Sequence, residues 1–304
     1  MTFHTTVQRL VFVCLGALTC GAAICGIDVR AASAQTAVVA ACPLDTGSPR
    51  TATSVLDAET IALDDGSEVR LAGILAPRPP LTAQAPAIWP PEAEATAALS
   101  HLVLGRPLFL GYSGRRSDRY GRHVAQVFVD DGNGGRTWVQ GRLLAEGHAR
   151  ANVLPEHAAC IDGFLAQERL AREAGKGLWS NPAFAIRDAG RSFELSRWRS
   201  TYQIVSGRVA RIANIKGRIY LNFGTDWRRD FTAGVTRKTQ SLEPGWTAKL
   251  EALEGRRVRV RGWIERRNGP FVEIGHPRQV EVLDEVGSSA PALSPPTPAA
   301  EPSP

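Results

Sequence analysis

Apolar and polar residues alternate with period two at the front of the chain and again towards its end, with helical spacing in between. SVLDAETIAL (54–63) runs into Asp64-Asp65-Gly66, and EVRLAGILA (68–76) follows, which predicts a strand, a tight turn and a second strand. A proline-rich stretch (76–91) leads to PEAEATAALSHLVLG (91–105). That segment starts on proline and acidic residues, brings Ala95, Leu99, Leu102 and Val103 near one face, and stops at Gly105, as a helix would. PLFLGY (107–112) and HVAQVFVDD (123–131) predict strands on either side of RRSDRYGR (115–122). WVQGRLLAEGHARA (138–151) predicts a helix running into a short extended piece, and HAACIDGFLAQERLAREAGKGLW (157–179) a helix halted by Gly-Lys-Gly. Strands with helices interleaved in this order fit a small β-barrel with helices packed at its ends.

The alternation returns after Tyr202. IVSGRVARI, RIYLNFG, RRVRVRGWIE and RQVEVL are separated by glycine-containing turns. Their period directs Ile219, Leu221, Phe223, Val258, Val260 and Ile264 inward and Arg257, Arg259 and Arg261 outward. Short strands of this kind predict a second small barrel, of Greek-key, oligonucleotide-binding (OB) type. Residues 180–199 show little pattern beyond Trp198 between two arginines, so 183–200 is expected to be a linker. The fold class is thus mainly β with helices. The expected division is a lead-in (35–53), a first barrel domain (54–182), the linker, and a basic β domain (201–286).

Neither end fits a folded core. Leu10 to Ile27 is uncharged and largely apolar, preceded by Arg9 and followed by Ala32-Ser33-Ala34, which suits a signal peptide over 1–34 and export to a periplasm or beyond. An uncleaved membrane anchor is the alternative. The last segment, 287–304, is rich in Pro, Ala and Ser and is expected to be a disordered tail. With Cys14, Cys20 and Cys25 in the signal segment, Cys42 and Cys160 remain. One disulfide between them is the economical pairing in an oxidising compartment, and two separate buried thiols are the alternative. No clustered Cys/His spacing points to zinc. The net charge of +6 favours an anionic partner.

Charge is uneven. From Arg197 to Leu283 there are 18 Lys and Arg against 8 Asp and Glu, a net of +10 in a chain whose total is +6. Within this region YLNFGTDWRRDF (220–231) interleaves aromatics with arginine. Cationic grooves with stacking platforms bind single strands, so Tyr220, Trp227 and Arg228 are candidate nucleic-acid contacts. A plain core role for Phe223 and for one or both of Trp227 and Phe231 is the alternative.

Taken in order, LDAET, VRLAGILAP, PEAEATAAL, SDRYGR, LLAEGHA and EAGKGLW resemble the thermonuclease family, the staphylococcal nuclease-like, secreted, calcium-dependent nucleases built on an OB-fold barrel. The resemblance covers 54–179 and implies a phosphodiesterase frame. In that family two arginines hold the scissile phosphate, which here fall on Arg70 and Arg122. Two acids ligate calcium, and a third is the proposed general base. The first metal carboxylate falls on Glu59, one methylene longer than the aspartate of the family motif. The other two positions depart from the pattern: the second metal carboxylate falls on Leu75 and the base on Arg78, with Pro77 holding the register.

Calcium takes six to eight oxygen ligands, and an arginine cannot accept a proton from water. The expectation is therefore an exported protein with a degraded nuclease site that binds nucleic acid or another polyanion, Arg119 being a further candidate nucleic-acid contact, with a solvated surface role as its alternative. No metal or cofactor follows from these residues. Calcium enters only with the first alternative, an active phosphodiesterase using Glu59 and a relocated acid from Glu68, Glu92, Glu94 or Asp118. Asp118 reads more simply as an ion pair that organises its loop. The second alternative is a periplasmic scaffold binding a protein partner.

Overall fold

The computed structural model describes residues 42–79 and 89–283. The signal segment and the tail lie outside these residues, as does most of the proline-rich stretch. Among the described residues no helix is long and apolar enough to cross a membrane.

Five strands of the first half close into a ring. They are β1 (Arg50–Asp57), β2 (Thr60–Leu63), β3 (Glu68–Leu71), β5 (Pro107–Gly111) and β6 (His123–Asp130). Neighbours run β3-β2-β1-β5-β6, and β6 returns to pair in parallel with β3. A two-residue β4 (Ile74–Leu75) leaves the ring to pair with β8 (Arg150–Ala151). The period-two pattern fills the interior with Ile61, Val69, Leu71, Leu108 and Val127, all buried. Helix α1 (Pro90–Val103) covers one end through Ala95, Leu99 and Val103, the face expected from the sequence.

After β7 (Arg136–Trp138), α2 (Val139–Ala145) and α3 (Ile161–Glu173) pack together and complete the core with Leu143, Leu144 and Phe164. Gln126 and Gln140 are buried but bonded: Trp138 Nε1 donates to Gln126 Oε1 at 2.9 Å, and the Val127 amide to Gln140 Oε1 at 3.0 Å. Such pairing offsets the cost of burying polar atoms. The stretches LLAEGHA and EAGKGLW meet directly, since Leu178 N donates to Gly147 O at 2.9 Å. A Cβ on Gly177 would lie 2.4 Å from that same oxygen, so the contact needs glycine. Cys42 and Cys160 are joined, Cα to Cα 4.5 Å, tying the lead-in to the start of α3.

The second half has the same strand logic. Its strands are β10 (Tyr202–Arg208), β11 (Arg211–Ile215), β12 (Arg218–Asn222), β13 (Thr232–Val235), β14 (Arg257–Arg267) and β15 (Gly269–Ile274). Pairing runs β11-β12-β13-β15-β14-β10, with β13 and β15 parallel, and β16 (Val280–Val282) adds to β14. The path is open between β10 and β11, which follow one another along the chain. There Val209 N bonds Arg256 O and Ala210 N bonds Asn222 O. Taken as one bent strand, β10–β11 makes the order that of the first ring: one, two, three, five, four. Ile219, Leu221, Val258, Val260 and Ile264 are buried, as the alternation predicts.

Three expectations need correction. SVLDAETIAL (54–63) is not one strand: the chain turns at Ala58 and Glu59, which makes it the end of β1 and the whole of β2, paired antiparallel. The stretch 183–200 is not a bare linker. It holds β9 (Arg187–Asp188), paired in parallel with β10, and a four-residue helix, α4 (Ser192–Leu195). Its Ala189 and Leu195 belong to the second core. Arg261 does leave the barrel interior, but it is only 4% exposed because it enters the contact between the two barrels. Its Nη1 donates to Glu168 Oε2 of α3 at 2.6 Å, and Glu168 is fully buried.

Candidate functional site

The turn between β1 and β2 presents Glu59. Asp57 Oδ1 accepts from Glu59 N at 2.7 Å, shaping the turn, and Glu59 O accepts from Leu71 N at 2.8 Å, tying it to β3. The side chain is 1% exposed and both of its oxygens are engaged. Oε1 accepts from the Ala76 amide at 2.6 Å. Oε2 accepts from Arg70 Nη2 at 2.8 Å and from Arg78 Nη2 at 3.3 Å. Arg70 stands opposite Thr60 on β2 and opposite Val124 on β6, so the barrel weave itself aims it at Glu59. Arg78 reaches the same oxygen from beyond Pro77.

Two guanidiniums over one carboxylate leave net positive charge. That charge reaches solvent, because the Arg70 and Arg78 side chains are 36% and 59% exposed while Glu59 is covered. Leu75, on β4, adds an aliphatic group opposite Arg150.

Arg122 enters from the loop before β6, two residues ahead of Val124. Its Nη2 lies 2.7 Å from Asp118 Oδ2, and the Asp118 carboxylate also accepts from the amides of Tyr120 at 2.8 Å and Arg122 at 3.1 Å. Burial alone would raise the Asp118 carboxyl, but Arg122 and these amides together hold it below its ordinary value. Asp118 is therefore the loop-organising partner of Arg122. Arg119 stacks on Tyr120, its guanidinium carbon 4.7 Å from the ring centroid, and Arg122 lies 5.3 Å from the same ring.

Residues 68–181 match the family described as staphylococcal nuclease homologue. This stretch is a staphylococcal nuclease-like domain. The match begins at β3, so it takes in Arg70, Leu75, Arg78 and Arg122 and leaves Glu59 just outside, although the barrel itself starts at Arg50. A comparison with curated proteins returned no match.

The nuclease-like domain brings Glu59, Arg70 and Arg78 into direct contact, and Arg122 into the loop just ahead of β6, the strand on which Val124 stands opposite Arg70. Calcium does not suit this arrangement. The Glu59 carboxylate has both oxygens committed to two cations and an amide, and its neighbours Leu75 and Arg78 offer no side-chain oxygen. Among the described residues no group of three or more His, Cys, Asp or Glu is placed to hold a metal. What the site offers is a pair of partly exposed guanidiniums fixed by a buried counter-charge, an arrangement suited to planar, two-point contact with phosphate oxygens.

In the second barrel the candidates separate. Phe223 and Phe231 stack within the core at 5.0 Å between centroids. Trp227 is 52% exposed and has Arg228 over its ring at 4.7 Å. Tyr220 is half-buried on the outer face, beneath Arg218. Sequence reasoning passed over Phe193 and Trp263, which are 77% and 51% exposed. The available signal was an aromatic inside an arginine-rich stretch, as in RSFELSRWRS (191–200) and VRGWIERR (260–267).

Proposed function

We propose that this protein is an exported binder of nucleic acid or a related polyanion, built on a nuclease frame that no longer cuts. The observation that carries this reading is the enclosure of Glu59 by Arg70, Arg78 and the Ala76 amide. A general base contributes about 10²–10⁴ in rate, and here its position holds a cation that instead engages the remaining acid. Phosphate-facing charge is kept while the means of activating water is lost. Export is supported by the signal-like N-terminus and by the Cys42–Cys160 bond, since such bonds persist in oxidising compartments. The nucleic-acid ligand is supported by the net +10 of 197–283 and its exposed aromatics.

The test is a nuclease and gel-retardation assay on the chain from Gln35 to Pro304, with single-stranded DNA and RNA, in millimolar calcium or chelator. We expect uncut substrate that is retarded at low salt and released steeply as salt rises. Calcium-dependent cleavage, lost in Arg70→Ala/Arg122→Ala, would instead establish the active phosphodiesterase. If the substrate is neither cut nor retarded, the nucleic-acid reading falls and a protein-binding scaffold is left.

A further inference from the structure

Three aromatic side chains of the second half stand out of the surface where a soluble core would draw them in: Phe193, Trp227 and Trp263, 77%, 52% and 51% exposed. Hydrogen bonds tie the segment that carries Phe193 to the elements that carry the other two. Ser192 Oγ accepts from Phe231 N at 3.0 Å, seating Phe193 beside the end of the loop that carries Trp227. At the far end of the same segment, Ser200 N donates to Ile264 O at 2.8 Å and Ile264 N to Thr201 O at 2.9 Å, next to Trp263. Residues 192–201 therefore run from the end of the Trp227 loop, where Phe193 stands, to the Trp263 strand.

Arginine accompanies every ring. Arg197 lies over Phe193 at 5.3 Å and Arg228 over Trp227 at 4.7 Å, while Arg199 and Arg266 line the cleft that contains Trp263. The acids nearby are already in use. Glu194 pairs with Arg191 at 3.4 Å and Glu265 with Arg267 at 3.1 Å. Asp226 accepts from Arg228 N at 3.0 Å, which closes its own loop. The surface is thus cationic, ordered and studded with half-open rings.

We propose that this face binds single-stranded nucleic acid, with unpaired bases stacking on Phe193, Trp227 and Trp263 and the arginines taking the intervening phosphates. The inference rests on the nucleic-acid reading above and names where the bases go. A flat ring with a guanidinium on one side keeps its other side for a base, and stacking of this kind is tolerant of sequence. A duplex keeps its bases inside and would engage the arginines alone. A lipid surface is disfavoured, because Phe193 and Trp227 would have to carry their stacked charges toward the acyl layer.

The full-length protein is titrated with three labelled probes: oligothymidine, an abasic strand of equal length, and a duplex. Vesicles of anionic phospholipid form a fourth arm. The variant Phe193→Ala/Trp227→Ala/Trp263→Ala is compared with the parent, and Phe193→Ala/Trp227→Ala serves if the triple change lowers the melting temperature. Expected is a loss of at least about 30-fold for oligothymidine, with abasic-strand and duplex binding unchanged. Oligothymidine binding equal to the parent's would overturn the assignment while leaving the nucleic-acid reading intact. A parent that binds no strand at all would overturn both. Loss of vesicle binding with oligothymidine unaffected would hand the face to lipid.

Discussion

Arg78 bonds the buried Glu59 carboxylate, and on the function proposed above it does so from the place where the family resemblance expects a proton acceptor. Restoring chemistry therefore needs both departures reversed. Leu75→Asp/Arg78→Glu is expected to gain calcium binding by titration calorimetry, whereas Arg78→Ala alone gains none, because a freed Glu59 is still a single ligand. Glu59→Gln removes the charge from a buried acceptor shared by two arginines and should cost about 1–3 kcal/mol in urea unfolding. His157 provides a pH handle. Burial pushes its imidazole below the ordinary 6.5, so the unfolded chain binds a proton at a pH where the folded one does not. Stability should accordingly fall as pH drops below about 6.5, and His157→Asn should flatten that part of a melting-temperature profile. That Arg70 would lie on a strand and Arg122 in the stretch before the next one was legible in the alternation around them. The turn of Arg78 onto Glu59 was not, since register says nothing of where a long side chain beyond a strand end will find its partner.

At the scale of elements, the strands and helices with sustained periodicity were readable, from β2 and β3 through α1 to β14. Elements of two to four residues were not. β9 and α4 are too short for any period to show, and they form because the neighbouring β10 edge and the second core receive them. The alternation along β14 placed Arg261 outside correctly as regards the barrel and wrongly as regards water, because a strand pattern sees one wall and not the body leaning on it. The disulfide acts across elements, closing a span of 118 residues. Cys42→Ser/Cys160→Ser should lose about 2–5 kcal/mol in denaturant unfolding, most of it through a less restricted unfolded chain.

Between the barrels lies a buried ionic joint. Glu168 meets Arg261 at 2.6 Å and Arg172 at 3.7 Å, and Arg172 and Arg259 each approach Glu281 at 3.3 Å. Burial opposes the charge on Arg261, but Glu168, Tyr202 and Glu281 together more than offset it and hold the guanidinium above its ordinary value. Tyr202, itself buried, donates to Ala151 O at 2.8 Å across the same contact. Removing Arg261 leaves Glu168 only the longer contact with Arg172, so Arg261→Met should destabilise by about 3–5 kcal/mol, and Glu168→Leu/Arg261→Met should recover part of that loss, the Ala151 amide having lost its acceptor. A joint of this kind predicts one unfolding transition for both barrels by calorimetry in the parent and two in Arg261→Met.

The Cys42–Cys160 bond also sets an order of events in time. Cys42 leaves the ribosome first and must wait, as a free thiol, until every strand of the first barrel and both its early helices have been made. Cys160 is the last cysteine of the chain, so the pairing is made only once the barrel that brings the two together has been synthesised.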